Sequence, residues 1–98
     1  MKTFGLNYDV KPEHVEEFTE YTLNVIDAME GVAGHVETRL YIDARKRNSL
    51  MIYSNWETVE QFGTFMRSDA FKGAISETQD MLEGMPTHKV YQQTGDLG

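Results

Sequence analysis

The amino-acid sequence predicts an α+β domain of the ferredoxin-like type, whose elements follow the order β-α-β-β-α-β. Three observations support this prediction. Short segments rich in apolar residues, the first of them strictly alternating, are typical of strands. Longer segments place apolar residues three and four positions apart, which is typical of amphipathic helices. A short polar turn separates the two middle strands, so these strands pair antiparallel.

The first strand and the first helix follow directly from the pattern of the opening residues. Residues 3–10 alternate strictly, and one face of this strand carries Phe4, Leu6, Tyr8 and Val10. Pro12 suits the first turn of a helix because its missing N–H would have no intrahelical partner there. Gly31 is expected to end that helix. The buried stripe of the helix is predicted to contain Val15, Phe18, Thr22, Val25, Ile26 and Met29.

The middle of the chain predicts a hairpin followed by a capped helix. Residues 35–43 and 49–56 are predicted strands on either side of the polar turn 44–48. Thr58 followed by Gln61 is a capping-box pattern, in which the side chain of the first residue accepts a hydrogen bond from a helical N–H. The sequence therefore predicts that a helix begins directly after the third strand.

The last part of the chain predicts a second helical start and a final strand. Ser68 is a second candidate N-cap, and Pro86 lies beyond the end of the helix that follows it. Residues 88–94 are predicted to form the fourth strand. We therefore expect one domain over residues 1–94, followed by a short tail at residues 95–98.

The apolar content of the strands predicts that a second subunit covers the sheet. Two helices can cover only one face of a four-stranded sheet, yet residues 50–53 carry large apolar side chains on both faces. A second copy of the chain is the simplest cover, because two sheets packed face to face close into a shared barrel. The sequence thus predicts a homodimer with the form of a dimeric α/β barrel.

Composition excludes several classes of function. The chain has no cysteine, which excludes disulfides, thiolate metal sites and cysteine nucleophiles. Its net charge of −7 disfavours nucleic acid as a partner. The sequence contains no signal-peptide pattern and no apolar run long enough to cross a membrane, so we expect no membrane partner and a cytoplasmic location.

The spacing of the three histidines does not predict a metal site. His14, His35 and His88 have no spacing typical of metal ligands. The chain also lacks a glycine-rich phosphate loop and a Gly-x-Ser-x-Gly nucleophile elbow. Any chemistry would therefore depend on other polar groups.

Two adjacent motifs resemble those of a known family. Trp56 begins the pattern Trp-x-Thr-x-Glu-x-Phe, and Ser68 begins the run Ser-Asp-Ala-Phe-Lys. Together they resemble the signature of the antibiotic biosynthesis monooxygenases, a family that also contains the haem-degrading monooxygenases. The resemblance implies a dimeric α/β barrel. It also implies a cofactor-independent monooxygenase that uses O2 to oxidise an electron-rich aromatic such as a quinol or polyphenol.

The resemblance also implies roles for particular residues. Asn7 matches the position of a functional asparagine and would contact a ligand oxygen or O2. The resemblance leaves the proton acceptor unassigned, and Asp9 and His35 are the nearby candidates. If Asn7 faces the helices, the row that begins at Phe4 faces away from them and forms the dimer interface. A small hydrophobic or aromatic ligand would be lined by Tyr53, Phe62, Phe65, Phe71 and Ile75.

Two alternatives remain open beside the monooxygenase. One is a non-catalytic barrel that binds a hydrophobic ligand or is associated with stress. The other is haem degradation, which Asn7 supports and Ile75 opposes, because the haem-degrading branch has its ligating histidine at that position and isoleucine cannot ligate iron. Other members of the family have histidine where this chain has Phe71. We therefore expect no cofactor, with haem disfavoured.

Overall fold

The computed structural model of the protein describes residues 1–84 and 87–92, with side chains described as far as residue 84. The elements follow the ferredoxin-like order, which confirms the predicted α+β fold class. Two short 3-10 turns, Pro12–His14 and Gln79–Met81, extend the first and last helices. The strands and helices are β1 (Lys2–Asp9), α1 (Val15–Ala28), β2 (His35–Ile42), β3 (Ser49–Trp56), α2 (Val59–Met66), α3 (Asp69–Thr78) and β4 (Thr87–Gln92).

The strands form one antiparallel sheet in the order β2-β3-β1-β4. β1 lies in the interior of the sheet because it pairs with β3 on one side and β4 on the other. The β1–β3 ladder runs from Lys2 opposite Trp56 to Asp9 opposite Ser49. Directly paired residues point to the same face, so this register decides which side chains meet.

The helices cover one face of the sheet and enclose the core there. One buried cluster joins Phe4, Met29 and Trp56, and a second joins Val10, Phe18 and Leu50. Each cluster combines strand residues with residues from α1 or the turn that follows it. The covered face is thus the hydrophobic face of the domain.

The prediction that the row Phe4, Leu6, Tyr8 and Val10 faces a second subunit is wrong. Leu6 is only 5% exposed, and the ring of Phe4 stacks on Phe62 of α2 with 3.7 Å between centroids. The ring of Tyr8 meets Phe18 of α1, and burial raises the pKa of its phenol to about 12. The most apolar face of β1 packs against the helices, because that is where a single chain can bury it.

The opposite face of the sheet, here called the uncovered face, carries both polar and apolar side chains. Asn7 pairs with Met51, and Gly5 pairs with Tyr53, so these side chains share the face that has no helix over it. Tyr41 of β2 also lies there and is 45% exposed. The premise that Asn7 faces the helices is therefore wrong.

Both predicted N-caps are present, and they divide the second helical region into α2 and α3. The hydroxyl of Thr58 accepts a hydrogen bond from the N–H of Gln61 at 3.1 Å. The hydroxyl of Ser68 accepts one from the N–H of Phe71 at 3.2 Å. α3 ends earlier than expected, at Thr78. Of the predicted segments, Pro86 and residues 93–98, including the expected tail, lie outside the described residues.

Two glycines shape the turn between α1 and β2. Gly31 has φ of +87° and Gly34 has φ of +84°, values that side chains adopt only with strain. A Cβ at Gly31 would meet open space, whereas a Cβ at Gly34 would overlap the side chain of Gln61. The carbonyl of Gly34 also accepts a 2.8 Å hydrogen bond from the N–H of Glu57, which joins this turn to the end of β3.

We expect Gly34→Ala to cost more stability than Gly31→Ala. Both replacements carry the backbone strain, worth about 1–2 kcal/mol, but only Gly34→Ala adds the overlap with Gln61. We expect about 1–2 kcal/mol for Gly31→Ala and about 2–4 kcal/mol for Gly34→Ala, measured by urea unfolding. Equal losses in the two variants would show that the Gln61 side chain does not constrain this turn.

Candidate functional site

A cavity of about 370 Å³ lies between α1, the turn after it and the start of α2 and α3. We call it the outer cavity. Ala28, Ala33, Thr64 and Ala70 are exposed, and they form its mouth. Among the described residues that line it, no side chain is ionisable. They are Val25, Ala28, Met29, Val32, Ala33, Gln61, Thr64, Phe65, Ser68 and Ala70.

A smaller space of about 40 Å³, the inner cavity, lies between the sheet and the helices. Three residues line both cavities, namely Val25, Met29 and Phe65. A space of this size is too small for an aromatic ring. No polar atom of the described lining residues faces it, and besides the three shared residues these are Leu6, Thr22, Ile26, Ile52, Ser54, Phe62, Met66 and Phe71.

An aromatic cluster forms the wall between the inner cavity and the end of the sheet. Trp56 meets Phe62 edge-on, with centroids 5.8 Å apart, and lies 5.5 Å from Phe65. Phe65 in turn lies 5.5 Å from Phe71. Rings at these separations attract one another beyond their burial, and they present apolar faces and edges to a ligand.

A continuous chain of hydrogen bonds runs from the aromatic wall to His35, and we call it the hydroxyl chain. The indole N–H of Trp56 donates to Ser54 Oγ at 2.7 Å, and Ser54 Oγ lies 2.7 Å from Thr38 Oγ1. Thr38 Oγ1 lies 2.6 Å from His35 Nε2. Ser54 is 1% exposed, while Thr38 and His35 are half-buried. The chain thus joins the buried indole of Trp56 to a titratable ring near the surface.

The direction of hydrogen-bond donation along the hydroxyl chain is set at its Trp56 end. An indole N–H can only donate, so Ser54 Oγ accepts from Trp56 and its own proton is available to Thr38. Thr38 can then donate to His35 Nε2, which requires a neutral ring. Burial lowers the pKa of His35, and the negative charge of Glu30 opposes this effect only in part. The neutral form that accepts a proton is therefore favoured in the folded protein.

The structure brings together only part of the predicted ligand site. Phe65 lines both cavities, and Phe62 and Phe71 line the inner one. Ile75 is 48% exposed and lines neither cavity. Tyr53 lies on the uncovered face, where its ring meets Tyr41 edge-on at 6.3 Å.

The remaining predicted groups also lie apart from the cavities. Asn7 shares the uncovered face with Tyr53, so the sheet separates its side chain from both cavities. Asp9 is exposed at the hairpin end of the sheet, 3.5 Å from Lys46. His35 lines neither cavity, and its ring is hydrogen-bonded to Thr38, which is hydrogen-bonded in turn to Ser54.

The sequence did not predict that several of these residues belong to the site. Val25 and Met29 were expected in the buried stripe of α1, but not as cavity walls. Thr38 and Ser54 are paired residues of β2 and β3, and their meeting depends on the register of the hairpin. The β-bulge between His35 and Glu37 brings His35 to the same face as Thr38, and regular alternation of the strand does not reveal it.

Within residues 1–84 and 87–92, no group of three or more His, Asp or Glu side chains could hold a metal ion. No helix in the described part of the chain is both long and apolar enough to cross a membrane.

The fold and the site together define a ferredoxin-like α+β domain with an apolar cavity beneath its helices. Residues 3–77 match the sequence model of the antibiotic biosynthesis monooxygenase family. This match covers most of the chain, and the protein therefore belongs to that family. The resemblance found in the Trp56 and Ser68 motifs is confirmed.

Similar proteins of known sequence carry a different description, which refers to haem binding. A protein of Natronomonas pharaonis named "putative heme-binding protein" is 34% identical over 86 residues, which is 88% of this chain and 14% of that protein. Relatives from Halobacterium salinarum and Haloarcula marismortui carry the same description. The chain thus spans only 13–18% of the length of these relatives.

Solved structures support the fold alone, because their sequence identity is low. A "putative antibiotic biosynthesis monooxygenase" from Nitrosomonas europaea superposes with a TM-score of 0.89 at 14% identity, covering 96% of this chain and 99% of its own. A conserved protein from Methanosarcina mazei gives a TM-score of 0.88 at 20% identity, covering 95% of this chain and 92% of its own.

The described residues fit a haem poorly. The outer cavity is lined by no histidine, cysteine or tyrosine within the described part of the chain, and these are the usual proximal ligands of haem iron. Met29 is the one lining side chain of a ligating type, but it is buried in the core against Phe4 and Trp56. Phe71 and Ile75, the two positions at which the family resemblance implied a histidine, offer no donor atom.

Proposed function

We propose that the protein is a small monooxygenase that oxidises an electron-rich aromatic with O2 and without a cofactor. The observation that carries the proposal is the outer cavity, which combines an apolar lining with a mouth of exposed small residues. A cavity of this kind accepts a flat apolar ring and excludes water from it. Membership of the monooxygenase family gives the reaction class.

The chemistry places few demands on the protein. The substrate loses a proton, and its anion then passes electrons to O2 directly. The site needs an apolar space, a polar contact for the developing oxyanion and a proton acceptor. The outer cavity supplies the apolar space, and Gln61, Thr64 and Ser68 are the polar residues in its lining.

We also propose that the protein works as a homodimer closed over the uncovered face. That face exposes Tyr41 and leaves Met51 and Tyr53 half-buried in a single chain. Apolar and aromatic groups of this kind gain from burial against a second copy. In this arrangement Asn7 and Tyr53 belong to the subunit interface, and the substrate is held by the cavities on the other side of the sheet.

A second candidate is a non-catalytic protein that binds a hydrophobic ligand in the same cavity. The neutral lining favours it, because none of the described lining side chains can act directly as a base. Oxygen consumption separates the two candidates, since a carrier binds an aromatic diol without using O2. Haem binding is suggested by the names of the relatives, and a visible spectrum after adding haem would test it.

We expect Ala28→Phe to block ligand binding, because a ring at the mouth fills the outer cavity. The dissociation constant of a naphthalene-type diol should rise at least about tenfold, which corresponds to ~1.4 kcal/mol. Binding can be followed by the fluorescence of Trp56, the single tryptophan, which lies next to both Phe65 and the inner cavity.

Ala44→Phe is the matched control for this test. Ala44 is exposed in the hairpin turn and lines neither cavity, so the same added ring should leave the dissociation constant unchanged. Normal binding by Ala28→Phe would place the ligand elsewhere and remove the observation on which the proposed function depends.

A further inference from the structure

The three polar side chains in the lining of the outer cavity differ in the hydrogen bonds that they can still make. Thr64 donates its hydroxyl proton to the carbonyl of Glu60 at 3.0 Å. Ser68 likewise donates its proton to the carbonyl of Phe65 at 2.6 Å. A hydroxyl group has one proton, so both groups keep only the capacity to accept. Gln61 is the third polar side chain, and its amide nitrogen carries two N–H donors.

The oxygen end of the Gln61 side chain is held by the start of its own helix. The hydroxyl of Thr58 accepts from the backbone N–H of Gln61 at 3.1 Å and donates its own proton to Gln61 Oε1 at 3.0 Å. The side chain also lies over Gly34, where a Cβ would overlap Cδ and Oε1 of Gln61. Within the described part of the chain, no hydrogen bond engages Gln61 Nε2. The amide nitrogen therefore keeps its two donors for a ligand.

We propose that Gln61 Nε2 donates a hydrogen bond to an oxygen atom of the ligand in the outer cavity. This contact would make Gln61 the specificity-determining residue of the site. The inference rests on the proposed function and narrows its substrate class to aromatics that carry an acceptor oxygen on or beside the ring. Quinone carbonyl and phenolic oxygens are acceptors of this kind, whereas a plain aromatic hydrocarbon has none.

The apolar character of the remaining lining gives this one donor its selectivity. The other seven described lining residues are apolar, so they hold a ring whatever its substituents are. A ligand without an acceptor covers the Gln61 amide and leaves its N–H groups with no partner. An unpaired polar group that has lost its water is costly, and a site with such a group discriminates against the ligand that fails to satisfy it.

The same contact supplies the polar group that the proposed chemistry requires. A hydrogen bond to a charged oxygen is roughly twice as strong as one to a neutral oxygen, so the Gln61 amide favours negative charge on the oxygen that it contacts. None of the described lining side chains is ionisable. Gln61 can therefore stabilise an electron-rich oxygen with a fixed dipole and without a cation.

Two variants of Gln61 remove the donors in different ways. Gln61→Glu keeps the shape of the side chain and the oxygen that Thr58 contacts, and it exchanges the NH2 group for a second oxygen. Glutamate is the usual third helical residue of a capping box, so the start of α2 is preserved. Gln61→Met keeps the length of the side chain and adds no charge. Gln79→Glu is the matched control, because Gln79 is exposed and lines neither cavity.

The probes are 1-tetralone and tetralin, which share a bicyclic skeleton and differ by one ketone oxygen. Equilibrium dialysis gives both dissociation constants, and their ratio is compared between variants, which cancels the different hydration of the two free ligands. We expect the dissociation constant of 1-tetralone to rise about tenfold in Gln61→Glu and about fivefold in Gln61→Met. That of tetralin should change less than about threefold, and Gln79→Glu should keep the wild-type ratio.

The outcomes separate this contact from the proposed function. An unchanged ratio in both Gln61 variants, folded by circular dichroism, would overturn the contact and leave the outer cavity as the ligand site. A change in only one of them would attribute the effect to charge or shape and would also overturn it. The expected ratios, together with a wild type that consumes no O2 with a dihydroxynaphthalene, would support the contact and overturn the oxidation. A wild type that binds neither probe would overturn both.

Discussion

Leu6→Lys is expected to destabilise the fold strongly. Leu6 is 5% exposed between the sheet and the helices, and it lines the inner cavity beside Phe62 and Phe65. A lysine there must bury its ammonium group without a partner or force the helices from the sheet. We expect a loss of about 3–5 kcal/mol, a large share of the ~5–15 kcal/mol that stabilises a domain of this size. Circular dichroism in a urea series measures it.

Asn7→Lys is the matched control. Asn7 follows Leu6 directly along β1, so its side chain points to the opposite, uncovered face. Its partner Met51 lies on that face, so the added charge meets no helix. We expect a folded chain, and sedimentation should show a monomer under conditions where the wild type is a dimer. A Leu6→Lys variant with wild-type stability would show that the helices do not cover this row. A dimeric Asn7→Lys variant would contradict the proposed interface.

The fold could be predicted from the sequence because each element carries its own local signal. Alternation identified β1, the polar turn identified the β2–β3 hairpin, and Thr58 and Ser68 identified the two N-caps that the structure contains. The choice between the two faces of β1 could not be made in the same way. Alternation separates Phe4 and Leu6 from Gly5 and Asn7, but it does not say which set the helices cover.

The site was harder to predict because it depends on contacts between distant parts of the chain. Phe62, Phe65 and Phe71 lie on one short stretch and were expected together, and the structure places them along the cavities. The contact of His35 with Thr38 requires the β-bulge, because regular alternation would place these two side chains on opposite faces of β2. The outer cavity requires the distance between α1 and α2, which no local pattern sets. Residues matched by analogy with the family, such as Asn7 and Ile75, lie away from both cavities.

Trp56 should be the most costly aromatic to remove. It is 0% exposed, and it contacts Phe62, Phe65 and His35 through its ring and Ser54 through its N–H. Trp56→Ala opens a space that the surrounding rings cannot fill, so we expect a loss of about 3–5 kcal/mol in urea unfolding. The aromatic cluster that forms the wall of the inner cavity would lose its central member.

Trp56→Phe separates packing from hydrogen bonding in the same position. It keeps a ring against Phe62 and Phe65 and removes the N–H that Ser54 accepts at 2.7 Å. We expect a smaller loss, about 1–2 kcal/mol, made up of one hydrogen bond and a modest change in volume. If Trp56→Phe were as unstable as Trp56→Ala, the bond to Ser54 would be the main contribution of this residue. If both variants matched the wild type, Trp56 would not belong to the core, because a fully enclosed side chain of this size cannot be removed without a measurable loss of stability.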